Sequence, residues 1–239
     1  ISKDKLRGHP LAFHTKEVTG VWADDRYLVT VSKDKSALGF NIRDLRTYRW
    51  AYMLESEATC VCGCARGSLA AVGTQGGFVH LLSLDNGAPK REKIRVCSQK
   101  KVAGVAAAGG LLYVGCGNKV FIYNKNHALE NEIELFTHIY ATSGVRQHKR
   151  SEAKNILQLS SNANRVVLVV TPTALFQIEQ QEVVQTDYYE NEKILSASLL
   201  YPNSGKVFYF SNGEFKIDTN KLIEYKSAKS SVCKSFQKD

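Results

Sequence analysis

This sequence has little with which to build helices, cross a bilayer or perform catalysis. It contains one methionine and four prolines in 239 residues, and it shows almost none of the 3.6-residue apolar periodicity of amphipathic helices. No run approaches the roughly 20 apolar residues that span a membrane. The opening segment from Ile1 is polar and has no signal-peptide apolar core. The chain is therefore expected to be a piece of something longer. Catalytic signatures are missing as well: there is no G-x-S-x-G elbow and no H-E-x-x-H. Gly110-Leu-Leu-Tyr-Val-Gly115 has the outer glycine spacing of a P-loop. Cys116-Gly117 nevertheless stands where Lys-Ser/Thr must hold phosphate and magnesium, and a strand is expected in between. These absences argue against an enzyme and call for no cofactor and no metal.

Six cysteines are present, at positions 60, 62, 64, 97, 116 and 233. Cys60, Cys62 and Cys64 alternate within an expected strand, so they share one face and are badly placed to bridge each other or to close a tetrahedral zinc site. Small buried thiols in a reducing compartment are the expectation, which points to an intracellular protein. Apolar residues make up 44% and charged residues 23%, the balance of a folded globular protein. The net charge of +9 favours anionic partners, nucleic acid first.

What is present is a block recurring at about 40 residues, the period of a propeller blade. The first copy runs through Val18 to Val21, Tyr27 to Ser32, the turn Lys33-Asp34-Lys35, and Ser36 to Ile42. The second uses Cys60 to Cys62, Leu69 to Thr74, the turn Gln75-Gly76-Gly77, and Phe78 to Leu84. The third uses Val102 to Ala106, Leu111 to Gly115, the turn Gly117-Asn118, and Lys119 to Tyr123. A fourth is expected over Ile156 to Leu159, Val166 to Val170, Ala174 to Ile178 and Val183 to Tyr189. A fifth covers Ile194 to Leu200, Val207 to Phe210, Glu214 to Ile217 and Leu222 to Lys226. The expected fold is all-β: four-stranded antiparallel propeller blades over 1–227, about five visible and part of a larger propeller, with a basic tail at 228–239. The interval between the third and fourth blocks is stretched by a polar, basic segment at 137–154, read as a loop projecting from one rim.

The residues of the first block resemble the WD-repeat propeller family. Gly8-His9 stands where that family places its Gly-His dipeptide, and His14 lies four residues before Val18. Ser32 and Asp34 match the family's serine and turn aspartate, and Phe40 occupies the position of its tryptophan without the indole N–H. A narrower succession runs Leu28 to Ser36 through Phe40, then Ala58 to Val61, Ala71 to Gly77 and Val102 to Ala106. It is similar to the tandem-propeller WD-repeat subunit of the UtpB complex. That resemblance implies a nucleolar scaffold of the small-subunit processome, contacting other WD-repeat subunits and pre-ribosomal or small nucleolar RNA.

Two groups of cations are the candidate contacts for RNA or an acidic partner. Arg91, Lys93 and Arg95 alternate in an expected outer strand, which would put them on one face, followed by Lys100 and Lys101. Arg146, Lys149 and Arg150 fall in the long basic segment. His80, inside an apolar strand, is read as a satisfied, partly buried histidine. Trp22 and Trp50 are read as core. The rival to an RNA-bound scaffold is a protein-recognition propeller in a vesicle coat, a cilium or an RNA-modifying complex.

Overall fold

The computed structural model describes residues 13–64, 68–135, 155–161, 165–189, 193–200, 205–210 and 215–218. Every regular element among them is a strand, and the strands form five antiparallel sheets in chain order. Sheet 1 holds β1 (Val18–Ala23), β2 (Tyr27–Ser32), β3 (Ser36–Asn41) and β4 (Trp50–Met53). Sheet 2 holds β5 (Ala58–Cys64), β6 (Leu69–Thr74), β7 (Phe78–Ser83) and β8 (Ile94–Arg95). Sheet 3 holds β9 (Val102–Ala108), β10 (Leu111–Cys116), β11 (Lys119–Tyr123) and β12 (Leu129–Glu134). Sheet 4 holds β13 (Gln158–Ser161), β14 (Val167–Val170), β15 (Ala174–Glu179) and β16 (Glu182–Tyr188). Sheet 5 has three described strands, β17 (Ile194–Leu200), β18 (Gly205–Phe210) and β19 (Phe215–Asp218). The expected outer strand at 222–226, the tail at 228–239 and the segment at 137–154 lie outside the described residues.

The central strands read as continuous apolar runs because both their faces are covered. β6 is buried at all six positions and β14 at all four. The innermost strands meet in succession, β1 on β5, β5 on β9, β9 on β13 and β13 on β17. Between sheets 1 and 2 the core is Val29, Val31 and Trp50 against Val72, Leu82 and Leu84. Between sheets 3 and 4 it is Tyr113 and Ile122 against Val167 and Phe176. Each such apolar side chain contributes about 1.5–3 kcal/mol when fully buried, so these layers are what hold the sheets face to face.

A finer device repeats at the seams. In β1, β5, β9 and β17 the second residue is an extra one, bulged out of the ladder: Thr19, Thr59, Ala103 and Leu195. At the first two positions the bulge aims a hydroxyl across the seam. Thr19 Oγ1 donates to the Ala58 carbonyl at 2.8 Å, and Thr59 Oγ1 donates to the Val102 carbonyl at 2.6 Å. Both acceptors are the first residue of the next sheet's inner strand.

Two expectations need correction. The outer strand of sheet 2 does not run through Lys90 to Arg95; β8 is Ile94–Arg95 alone, with an isolated bridge between Leu82 and Pro89. Residues 91–93 leave the ladder, because nothing apolar holds that segment to the sheet until Ile94 packs into the core between sheets 2 and 3. Arg91, Lys93 and Arg95 therefore do not form a one-faced stripe. The second correction concerns the thiols. Cys60, Cys62 and Cys64 are free and face sheet 3 as expected, but Cys97 and Cys116 are joined as a disulfide.

Candidate functional site

One rim of the stack is built from the segments that link one sheet to the next and from the turns between second and third strands. Backbone hydrogen bonds tie the two sets together: Lys33 N–H to Glu17 O, Gln75 N–H to Glu57 O, Val96 N–H to Gly77 O, and Tyr189 N–H to Thr173 O. The polar chemistry of the chain gathers along this rim.

In sheet 1, His14 enters from the linker with its side chain only 5% exposed. Its Nδ1 lies 3.0 Å from Asp34 Oδ2 and 2.9 Å from Ser36 Oγ, and its Nε2 lies 2.8 Å from Thr30 Oγ1. The arrangement fits a proton on Nδ1 donated to the carboxylate, with Nε2 accepting the Thr30 hydroxyl. Asp34 also accepts the Thr15 and Ser36 N–H groups and the Ser36 hydroxyl. Burial pushes its carboxyl up, but the hydrogen bonds from Ser36, Thr15 and His14 outweigh that and draw it down to about 2. His14 and Asp34 are thus in direct contact, and the hydroxyl at Nε2 is that of Thr30. Ser32 instead donates to the Lys16 carbonyl and accepts the Asp34 N–H. Phe40 is 1% exposed beneath the Phe13 ring, centroids 5.5 Å apart. Gly8 and His9 lie outside the described residues.

Sheet 2 carries a counterpart that sequence reasoning only half found. Gln75 and Glu57 pair as Lys33 and Glu17 do, which places Glu55 in the linker and His80 on the third strand. His80 Nε2 donates to Glu55 Oε2 at 2.6 Å, and the Thr74 hydroxyl donates to Glu55 Oε1 at 2.8 Å. Here the acid stands in the linker, where sheet 1 has its imidazole, and the imidazole is on the third strand. Burial pushes the His80 pKa down against the opposing pull of Glu55. Burial pushes Glu55 up, and its own N–H, Thr74 and His80 more than offset it, leaving it below the usual carboxylate range. The signal available in sequence was the alignment of Thr74 with Ser32, six residues ahead of an apolar-strand histidine. Both clusters are consumed within their sheets, as clamps between linker, turn and strand.

The cations are divided between the two ends of the stack. Lys93 Nζ lies 3.8 Å from Glu55 Oε2 and 4.3 Å from the centre of the Phe78 ring, which Arg95 also approaches at 5.7 Å. Arg95 donates to the Ser98 carbonyl at 3.5 Å. Lys100 and Lys101 are exposed on the linker from sheet 2 to sheet 3 and have no acidic partner among the described residues. Arg91 sits at the opposite rim, donating to the His127 carbonyl at 3.0 Å in the β11–β12 turn. Arg146, Lys149 and Arg150 lie outside the described residues. The residues flanking that segment are anchored on the first rim, Leu135 N–H to Asn118 O and Ile156 N–H to Gly117 O. Trp50 is core, its indole N–H on the Leu84 carbonyl at 2.8 Å, and Trp22 packs half-buried in the same layer.

No helix among the described residues is long and apolar enough to cross a membrane. No family model matches the sequence, and no curated protein matches it. Many solved structures match the fold. One described as the structure of U3-55K superposes with a TM-score of 0.71 at 14% identity, over 88% of this chain. The chain spans 64% of that structure's length. At such identity the likeness speaks to fold, and it agrees with the sheet order and the seams. The chain has an all-β, WD-like propeller fold, in which the described residues make four blades of four antiparallel strands and three strands of a fifth.

Proposed function

We propose that this chain is a non-catalytic propeller scaffold, part of a larger propeller, working inside a large ribonucleoprotein assembly. The open face of sheet 1 carries the reading. Val18 is 44% exposed, whereas its counterparts Ala58 and Val102 are 1% and 0% exposed beneath the preceding sheet. Val21 is 61% exposed, against 4% for its counterpart Val105, and Met53 on the outer strand is 68% exposed. This face is built as an interior seam and would bury substantial apolar area once covered. It is a surface for docking.

The more specific version is a subunit of the small-subunit processome, intracellular and nucleolar, supporting pre-rRNA processing and ribosome biogenesis. Its support is the sequence succession from Leu28 to Ala106, the net charge of +9, and the exposed Arg95, Lys100 and Lys101 on one rim. Such cations neutralise phosphates and give salt-dependent affinity rather than sequence choice. The open apolar face equally suits a protein-recognition propeller in an unrelated assembly. Affinity purification of the tagged parent protein, with and without nuclease, separates the two. Recovery of U3 small nucleolar RNA with other WD-repeat subunits is the expected result. A stable complex that lacks them and survives nuclease unchanged supports the rival and ends the processome reading.

A further inference from the structure

The linker from sheet 2 to sheet 3 runs between two turns and is in contact with both. It leaves β8 with the Val96 and Cys97 N–H groups both bonded to the Gly77 carbonyl, at 2.9 and 3.1 Å. It then passes so close to the β6–β7 turn that a Cβ on Gly77 would sit 2.3 Å from the Cys97 carbonyl oxygen and 2.9 Å from that of Lys100. Gly77 has φ of +81°, so both the turn and the passing chain require glycine there. On its other side the linker touches the β10–β11 turn, where Lys100 Nζ would lie 2.9 Å from a Cβ on Gly117. Cys97, in this linker, is bonded through sulfur to Cys116, the last residue of β10, with Cα atoms 6.5 Å apart. Both cysteines are 7% exposed. The bridge therefore ties an exposed dibasic segment to the second strand of the following sheet. It does so beside Gly117 and Asn118, whose carbonyls anchor Ile156 and Leu135.

We propose that Cys97–Cys116 is a redox latch: bridged, it clamps the Ser98–Lys101 segment between the turns of sheets 2 and 3; as a dithiol, it releases that segment. The chemistry is two successive thiol–disulfide exchanges with a small-molecule disulfide of the glutathione class. One cysteine thiolate attacks the small disulfide, forming a mixed disulfide and expelling one thiol. The second cysteine, as thiolate, displaces the other thiol to close the bridge. Two cysteine thiols are oxidised, one small disulfide is reduced to two thiols, and the two cysteine protons end on the expelled thiols. Burial drives Cys60 up to about 11, Cys64 up to about 12 and Cys62 well above its ordinary range, so thiolate is scarce at all three. The latch rests on this covalent geometry and stands independently of any RNA contact.

The test uses the full chain equilibrated in glutathione buffers from reducing to oxidising, quenched with N-ethylmaleimide and mapped by peptide mass spectrometry. Cys97 and Cys116 should lose label together in one reversible two-electron transition, while Cys60, Cys62 and Cys64 label on unfolding at every poise. Amide exchange at Val96 and Cys97, whose N–H groups bond the Gly77 carbonyl, should be at least 10-fold faster in the reduced protein, with β6 and β7 unchanged. The Cys97→Ser/Cys116→Ser double variant should show the fast exchange at every poise. Cys97 and Cys116 remaining labelled under oxidising buffer, pairing with another cysteine, or equal exchange in both states would overturn the latch.

Discussion

The carboxylate of Asp34 lies 3.0 Å from Nδ1 of His14, twenty residues earlier in the chain, and that contact fixes the linker of sheet 1 onto its turn. It has a pH signature. The folded Asp34 carboxyl sits at about 2, below the ordinary value of about 3.9. A depressed carboxyl stabilises the fold fully above its unfolded pKa, and the contribution is lost as pH falls toward 2. The full shift corresponds to about 2.6 kcal/mol, which solvent screening reduces toward about 1 kcal/mol. Urea midpoints should fall between about pH 4 and pH 2 in the native protein, with a smaller fall in Asp34→Asn. Parallel pH profiles for the two proteins would remove Asp34 from the acid response.

Thr30→Val tests the other end of the same imidazole. The substitution keeps the shape and deletes the hydroxyl that His14 Nε2 accepts, leaving a nearly buried acceptor unpaired at a cost of about 1–3 kcal/mol. Chemical denaturation should register it as a lower midpoint with an unchanged slope. No loss would remove the Thr30 hydroxyl from the forces that hold His14.

At the seams, Thr19→Val and Thr59→Val each delete one cross-sheet hydroxyl. Each should cost about 1 kcal/mol, and because they serve different seams the double variant should lose the sum. A double variant no worse than either single would show that the two bonds are one cooperative unit.

Gly39 supports a tryptophan. An added Cβ would fall 2.0 Å from the Trp50 ring, so Gly39→Ala must displace the indole and its bond to the Leu84 carbonyl. Overpacking of this kind typically costs about 1–3 kcal/mol, and loss of the indole bond adds to it. Tryptophan emission should shift to longer wavelength along with the stability loss. Unchanged emission would show that sheet 1 yields instead.

For the cationic rim, a triple Arg95→Glu/Lys100→Glu/Lys101→Glu variant should weaken single-stranded RNA binding at least about 10-fold and lower the salt slope by about 2. Arg91→Glu, at the opposite rim, should leave both within about twofold. Equal effects from the single variants Lys100→Glu and Arg91→Glu, which change the charge alike, would show that net charge, not the rim, sets affinity.

Much of the stack was legible because central strands covered on both faces become unbroken apolar runs, as in Leu69 to Thr74. His14 and Asp34 stood out through the resemblance to the WD-repeat family, whose histidine and turn aspartate they match. What escaped depends on contacts between sheets. Nothing local marks Thr30 rather than Ser32 as the hydroxyl at His14 Nε2, since alternation puts both on the same face of β2. Arg91, Lys93 and Arg95 looked like a stripe because alternation assumes a strand, and the ladder breaks there for want of an apolar anchor. Cys97 and Cys116 are 19 residues apart in sequence, and only the fold of the linker over the β10 end brings their sulfurs together.

The bulged threonines also give the stack a polarity. Thr19 and Thr59 each hand a hydroxyl to the sheet that follows, so a sheet's leading and trailing faces are different surfaces. Two copies meeting through the same face of sheet 1, as a twofold dimer requires, could not form this bond. A sheet covering Val18 as sheets 1 and 2 cover their successors would present the face from which Thr19 and Thr59 reach outward.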